Sequence, residues 1–191
     1  MIKYDICSRG IVYWITGLSG AGKTTLGRLL YRDQKAEKEN VVILDGDELR
    51  EIINNKDYSK EGRKQVAKQY SKMCKMLSDQ GIDVVICTIS MYDEVREWNR
   101  ENIENYCEIF IEVPMDELIR RDQKKLYSRA LKRELTNVMG IDTDFEAPKN
   151  PDIKINNDGY LEVKDVYDIL KEKIEVYKRR KTDEFARKSG T

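Results

Sequence analysis

Apolar residues follow two alternating rhythms along this chain. Short, nearly unbroken apolar runs stand at 11–16 (IVYWIT), 41–44 (VVIL), 82–86 (IDVVI), 109–113 (IFIEV) and, more weakly, 152–155 (DIKI). They read as strands buried on both faces. Between them apolar positions return every three or four residues, as in Leu26, Leu29, Leu30 and Ala36 within 24–39. The same spacing predicts helices near 59–80, 93–105 and 116–122, and a closing amphipathic helix over 163–180 with Val166, Ile169, Leu170, Ile174 and Tyr177 on one side. Gly81 stands where a helix C-cap is needed before the third strand, and Pro114 ends the fourth. Alternating strands and helices of this kind build an α/β fold, a five-stranded parallel sheet with helices on both faces. From 123 to 151 the rhythm loosens, with partial helix at 125–136. A loop region of that length reads as a mobile lid, set at about 121–150. The tail, 182–191, is polar and is expected to fray.

A chain of 191 residues suits one such domain, spanning 1–191. Lys plus Arg and Asp plus Glu both number 35, so no net field argues for a nucleic-acid polymer or an anionic membrane. Neither a signal-peptide core nor a membrane span is present, which points to the cytoplasm. Cys7, Cys74, Cys87 and Cys107 lack metal-ligand spacing and read as reduced thiols. There is no histidine, so proton transfer falls to carboxylates, Lys, Tyr or metal-bound water.

Residues 17–24, GLSGAGKT, fit G-x-x-x-x-G-K-[ST] between a predicted strand and a predicted helix. Gly17, Ser19, Gly20, Ala21, Gly22, Lys23, Thr24 and Thr25 are therefore expected to hold ATP. Backbone N–H groups would wrap the β-phosphate, Lys23 would reach the β- and γ-phosphates, and Thr24 would hold Mg²⁺. No guanine-reading N-K-x-D motif occurs, and CTISMY after the third strand has no strand-end acid. The acids stand instead after the second strand, Asp45 and Asp47 in LDGDELR. Ligands of a parallel sheet gather at its C-terminal edge. One of these two acids can order the water of Mg²⁺ and the other can take a proton from an attacking hydroxyl. Asp47 also reads as the N-cap of a helix over ELREII, and Arg50 would face an anionic acceptor.

GLSGAGKTT, LDGDELR, YSKEGR, ICTISMY, DQKKLYSRA and GIDTDFEAPKNP occur in an order and spacing that resemble the adenylylsulfate kinase family over residues 10–156. The resemblance implies a homodimeric P-loop kinase that transfers phosphoryl from ATP to the ribose 3'-hydroxyl of a small nucleotide. It implies Asp47 as base, with Lys23 and Asp45 in the catalytic set, and Arg121 at ATP. It places Arg50, Tyr58, Arg63, Ser90, Lys124, Leu126, Val138, Gly140 and Ile141 at the acceptor; Ser90 reads equally as a strand-end hydroxyl without catalytic duty.

The sequence departs from the family where the acceptor would bind. DGDELREIIN has Glu48 in place of Asn and lacks a glycine; RKQVAKQ has Val66 and Lys68 in place of Asn and Arg; Asp93 replaces Arg after ISMY. The family's two adenine-clamping phenylalanines correspond to Tyr58 and Val138. Base–aromatic stacking contributes about 1 to 3 kcal/mol per base, so a missing aromatic face weakens adenine more than a smaller pyrimidine. The chain is thus similar to a divergent branch of the family, the cytidine diphosphoramidate kinases of bacterial capsule modification. Formation of 3'-phosphoadenylylsulfate from adenylylsulfate is the alternative, and a P-loop hydrolase or an inactive nucleotide-binding module are readings from other classes. The seven basic residues between Arg120 and Arg133 read either as a solvated helix face or as a cationic lid for phosphates.

Overall fold

The computed structural model describes residues 9–189; Cys7 lies outside them. Its elements are β1 (Val12–Thr16), α1 (Lys23–Glu37), β2 (Val41–Asp45), α2 (Gly46–Ile52), α3 (Lys60–Asp79), β3 (Asp83–Cys87), α4 (Asp93–Asn102), β4 (Tyr106–Glu112), α5 (Met115–Arg121), α6 (Leu126–Leu131), β5 (Ile153–Asn156) and α7 (Val163–Ser189). The five strands are parallel in the order β2-β3-β1-β4-β5. Every residue of the central strand β1 is buried, as is every residue of β3. At the edge, β5 alternates: Ile153 and Ile155 are buried, Lys154 and Asn156 exposed, the pattern of a strand covered on one side only.

Two apolar layers sandwich the sheet. Val12, Trp14, Val84 and Ile86 meet Val66, Tyr70 and Cys74 of α3 and Val95 of α4. Tyr13, Ile15, Val85 and Ile109 meet Leu26 and Leu30 of α1 and Val166, Leu170 and Ile174 of α7. Alternate residues of one strand thus feed opposite layers, as the two-residue period of a strand requires.

Some expected boundaries move. β4 begins at Tyr106 rather than 109 because Glu108, which interrupts the apolar run, is itself buried. It pairs with Arg96 at 3.4 Å and Arg100 at 2.6 Å. The helix expected over 125–136 ends at Leu131, and Arg133 and Asn137 follow with φ of 60° and 62°, values that stop a right-handed helix. The tail from 182, expected to fray, continues α7 to Ser189. No Gly or Pro interrupts it before Gly190, and Glu184 pairs with Arg180 and Lys181 along the helix. Cys74, Cys87 and Cys107 are free and buried, and burial raises each thiol above its ordinary pKa. Among the described residues, no helix is long and apolar enough to cross a membrane.

Candidate active site

The loop after β1 turns sharply into α1. Gly20 and Gly22 take φ of 79° and 95°, conformations that favour glycine. A Cβ at Gly22 would also stand 2.8 Å from Nδ2 of Asn157. No side chain caps α1, so the first N–H groups of a fifteen-residue helix open onto the loop, a ready place for an anion. Lys23 Nζ donates to the carbonyl of Leu18 at 2.8 Å. Burial of its ammonium pushes its pKa down to about 8, against the opposing pull of Cys87, Asp47 and Asp45, although the residue as a whole is only half-buried.

β2 delivers the carboxylates. Asp45 Oδ2 accepts from Thr24 Oγ1 at 2.7 Å, and Oδ1 accepts from the N–H of Asp47 at 2.9 Å. The cap of α2 is therefore Asp45, and the capping role expected of Asp47 is corrected. The reason is register: β2 runs on to Asp45 and α2 begins at Gly46, one residue before Asp47. Asp47 is left exposed, its Oδ2 3.1 Å from Nζ of Lys124, and this partner raises the Lys124 pKa.

A cleft of about 260 Å³ is lined by Ser19, Gly20 and Gly22 to Thr25, by Asp45 to Asp47, and by Arg50, Tyr58, Arg63, Ser90, Lys124 and Leu126. A second cavity of about 590 Å³ adjoins it, sharing Ser19, Tyr58, Arg63, Ile89, Leu126 and Met139 and adding Val138. The guanidinium carbons of Arg50 and Arg63 lie 4.6 and 5.2 Å from the ring centroid of Tyr58. Arg50 donates to Asn55 Oδ1 and to the carbonyl of Asp57, both at 3.0 Å. Arg63 donates to the carbonyls of Tyr58 and, across to the 121–150 segment, Asn137. Ser90 Oγ lies 2.9 Å from Thr88 Oγ1.

Other expected residues stand outside both linings. Ala21 is buried, and Gly17 packs against the backbone of Ile111, where a Cβ would stand 2.5 Å from the carbonyl oxygen. Arg121 donates to the carbonyls of Gly20 at 3.1 Å and Asn157 at 2.7 Å, with Glu117 holding it from its own helix at 2.7 Å. Gly140 and Ile141 form the turn beside Val138, Gly140 at φ 90° and Ile141 N–H donating to the Val138 carbonyl. Of the departures, Tyr58, Val66 and Val138 line the two cavities. Glu48, Lys68 and Asp93 do not; they pair with Arg28, Glu94 and Arg96.

Sequence reasoning passed over Ala67, Tyr70, Thr88, Tyr92 and Met139, which also line the cleft. A signal for two of them was present: 63, 66, 67 and 70 share one face of α3. Tyr70 fastens that face to the start of α2, its hydroxyl donating to the carbonyl of Gly46 at 2.8 Å.

A P-loop closing the central strand, a Thr–Asp pair beside it and an adjoining cavity are the parts of a P-loop protein that holds a nucleoside triphosphate next to a second site. Comparison with known proteins narrows the class. The family model described as adenylylsulphate kinase matches residues 9–156. A cytidine diphosphoramidate kinase of Campylobacter jejuni is 48% identical over 146 residues, 76% of this chain and 85% of that one. An adenylyl-sulfate kinase of Picosynechococcus is 40% identical over 151 residues, 78% and 85% of the two chains. The solved structure of a Mycobacterium tuberculosis APS kinase with AMPPNP and APS matches with a TM-score of 0.80 and 30% identity, covering 88% of this chain and 99% of that one. The chain belongs to the adenylylsulphate kinase family.

Proposed function

We propose that the protein transfers the γ-phosphoryl group of ATP to the ribose 3'-hydroxyl of cytidine diphosphoramidate, a step in building a capsular phosphoramidate. The observation that carries the acceptor is the cavity beside the P-loop cleft: Tyr58 is on its wall, but the other expected clamping position is the aliphatic Val138, with Met139 next to it on the wall. One aromatic wall suits a single-ring base. The 48% identity to a cytidine diphosphoramidate kinase supports the same reading.

The roles follow from placement. The open N-terminus of α1 and Lys23 hold the triphosphate, and Arg121, braced by Glu117, sits at the donor side of the loop. Asp47 is the carboxylate free to accept the 3'-hydroxyl proton, since Asp45 is engaged with Thr24 and the α2 backbone. Lys124 is within reach of both Asp47 and an incoming phosphate, and the segment 121–150 closes over the substrates as a lid.

Among the described residues no cluster of three or more His, Cys, Asp or Glu could ligate a metal by itself. One hydroxyl and one or two carboxylates suit Mg²⁺, which binds such sites together with substrate phosphates and water. Thr24 would hold it, with Asp45 fixing the hydroxyl; when bound, the ion neutralises charge on the transferring phosphate. A homodimer of one domain each, working in the cytoplasm, completes the reading.

The test is ADP release by the purified protein with Mg·ATP, comparing cytidine diphosphoramidate and adenylylsulfate at matched low concentrations against a no-acceptor control. The cytidine compound is expected to win by well over tenfold in kcat/KM, on the order of the one to three kcal/mol a stacking face contributes. A preference for adenylylsulfate would make the protein a source of 3'-phosphoadenylylsulfate instead. Fast ATP turnover without acceptor would make it a hydrolase, and no turnover with any acceptor an inactive module.

A further inference from the structure

We propose that Asp57 reads the exocyclic amine of the acceptor base, so that the side cavity admits an amino-pyrimidine and turns away its keto counterpart. The inference rests on the cytidine reading above and deepens it. The cavity wall is apolar at Ile89, Leu126, Leu135, Val138 and Met139, and among the described residues Asp57 is the one acid lining it. The cleft it opens from carries Lys23, Arg50, Arg63 and Lys124 against the two carboxylates Asp45 and Asp47, a net positive lining that suits a phosphorylated acceptor. A carboxylate in the wall of a site for an anion works against binding unless it meets an N–H donor of the ligand.

Asp57 is held in place from several sides. Its N–H donates to Asn55 Oδ1 at 2.9 Å, and its carbonyl accepts from Arg50 at 3.0 Å. Its Oδ1 accepts from the N–H of Ser59 at 2.9 Å. The hydroxyl and N–H of Ser59 hold its carboxyl below the ordinary carboxylate value, so at neutral pH the group only accepts hydrogen bonds. The carboxylate lies against the bare Cα of Gly62, where a Cβ would come within 2.3 Å of the Asp57 Cγ and 2.4 Å of its Oδ2, so the second oxygen is fixed along one edge of Gly62. Lys56, Arg63, Thr136 and Asn137 also line the cavity: Arg63 is turned to the carbonyls of Tyr58 and Asn137, Lys56 is the donor a keto oxygen would have to use instead, and a hydroxyl or a carboxamide can either donate or accept and cannot by itself separate two bases.

Cytosine presents an N4 amine where its deaminated counterpart presents the O4 oxygen, a donor against an acceptor. A fixed carboxylate pairs with the first and repels the second. Asp57→Asn reverses this without dismantling the loop: its Oδ1 can still accept from Ser59, leaving an NH₂ group in place of the second oxygen.

The experiment measures kcat/KM for the wild-type and Asp57→Asn proteins with cytidine diphosphoramidate and with its uridine counterpart, at saturating Mg·ATP. Wild type is expected to favour the cytidine compound by roughly tenfold to a hundredfold, the range of one base-edge contact. The variant should lose most of that preference, through a higher KM for cytidine and a lower one for uridine. A merely structural Asp57 would lower both activities together, and an unchanged ratio would overturn the assignment while leaving the cytidine reading intact. If the wild-type protein instead prefers adenylylsulfate, the cytidine reading fails and the role of Asp57 fails with it.

Discussion

Asp47→Asn is expected to lower kcat with the acceptor by about 10² to 10⁴, the usual contribution of a positioned general base, with little change in ATP binding. The variant is clean for a structural reason. Asp45, not Asp47, caps α2 and holds Thr24, so the amide removes a proton acceptor without removing a cap or the Thr24 hydrogen bond. The substitution weakens the 3.1 Å ion pair with Lys124, which joins two exposed side chains and contributes little to stability, and it removes one of the charges that favour the Lys23 ammonium, while Asp45 keeps another beside it. Steady-state rates together with nucleotide binding by the same protein make the check. A near-wild-type kcat would take Asp47 out of proton transfer.

Glu108→Ala should be the most damaging single change away from the cleft, costing about 3 to 5 kcal/mol, the range for stranding a buried charge. Arg96 and Glu108 are only 4% and 2% exposed. Around them Arg100 reaches Glu108 and Asp152, and Arg180 reaches Asp152, so α4, β4, the residue leading into β5, and α7 are tied by charge. Removing the acid leaves Arg96 with only the half-exposed Asp93. For a chain of this size each kcal/mol moves Tm by about 2 to 4 °C, so a drop of roughly 6 to 20 °C is expected by calorimetry. The double variant Arg96→Met, Glu108→Met should recover much of it, because replacing a buried pair together strands no charge. A single variant melting within a degree or two of wild type would show that the network carries no such weight.

Much of this was legible in the chain, and the exceptions have physical causes. The P-loop, the parallel sheet and the proximity of Asp45 and Asp47 to Lys23 follow from local pattern, because a strand–loop–helix unit and the carboxyl edge of a parallel sheet leave little freedom. Which of two neighbouring acids caps a helix is not local: it depended on β2 holding register with β3 through Asp45 opposite Cys87. Glu108 hid part of a strand because its compensating arginines lie on another helix. Val138 was legible as a missing aromatic, whereas Asp57 gained its meaning only when folding set it on the same cavity wall as Val138 and against Gly62. The departures Glu48, Lys68 and Asp93 carried equal weight in the sequence, yet each lies in an ion pair outside the cavities.

The strand order also divides the rim of the cleft between two stretches of chain. To one side of β1 lie β3 and β2, whose ends carry Thr88, Ser90, Asp45 and Asp47 and which lean on α3. To the other lie β4 and β5, leading to Arg121 and Asn157 behind the P-loop. In the proposed reaction the first side, apart from Asp45 with its hydrogen bond to Thr24, would meet the acceptor, and Arg121 and Asn157 on the second would brace the donor loop. Under that proposal, changes in residues 47–92 and in the 121–150 segment would alter which acceptor fits, while the P-loop and the Thr24–Asp45 pair would go on holding the donor.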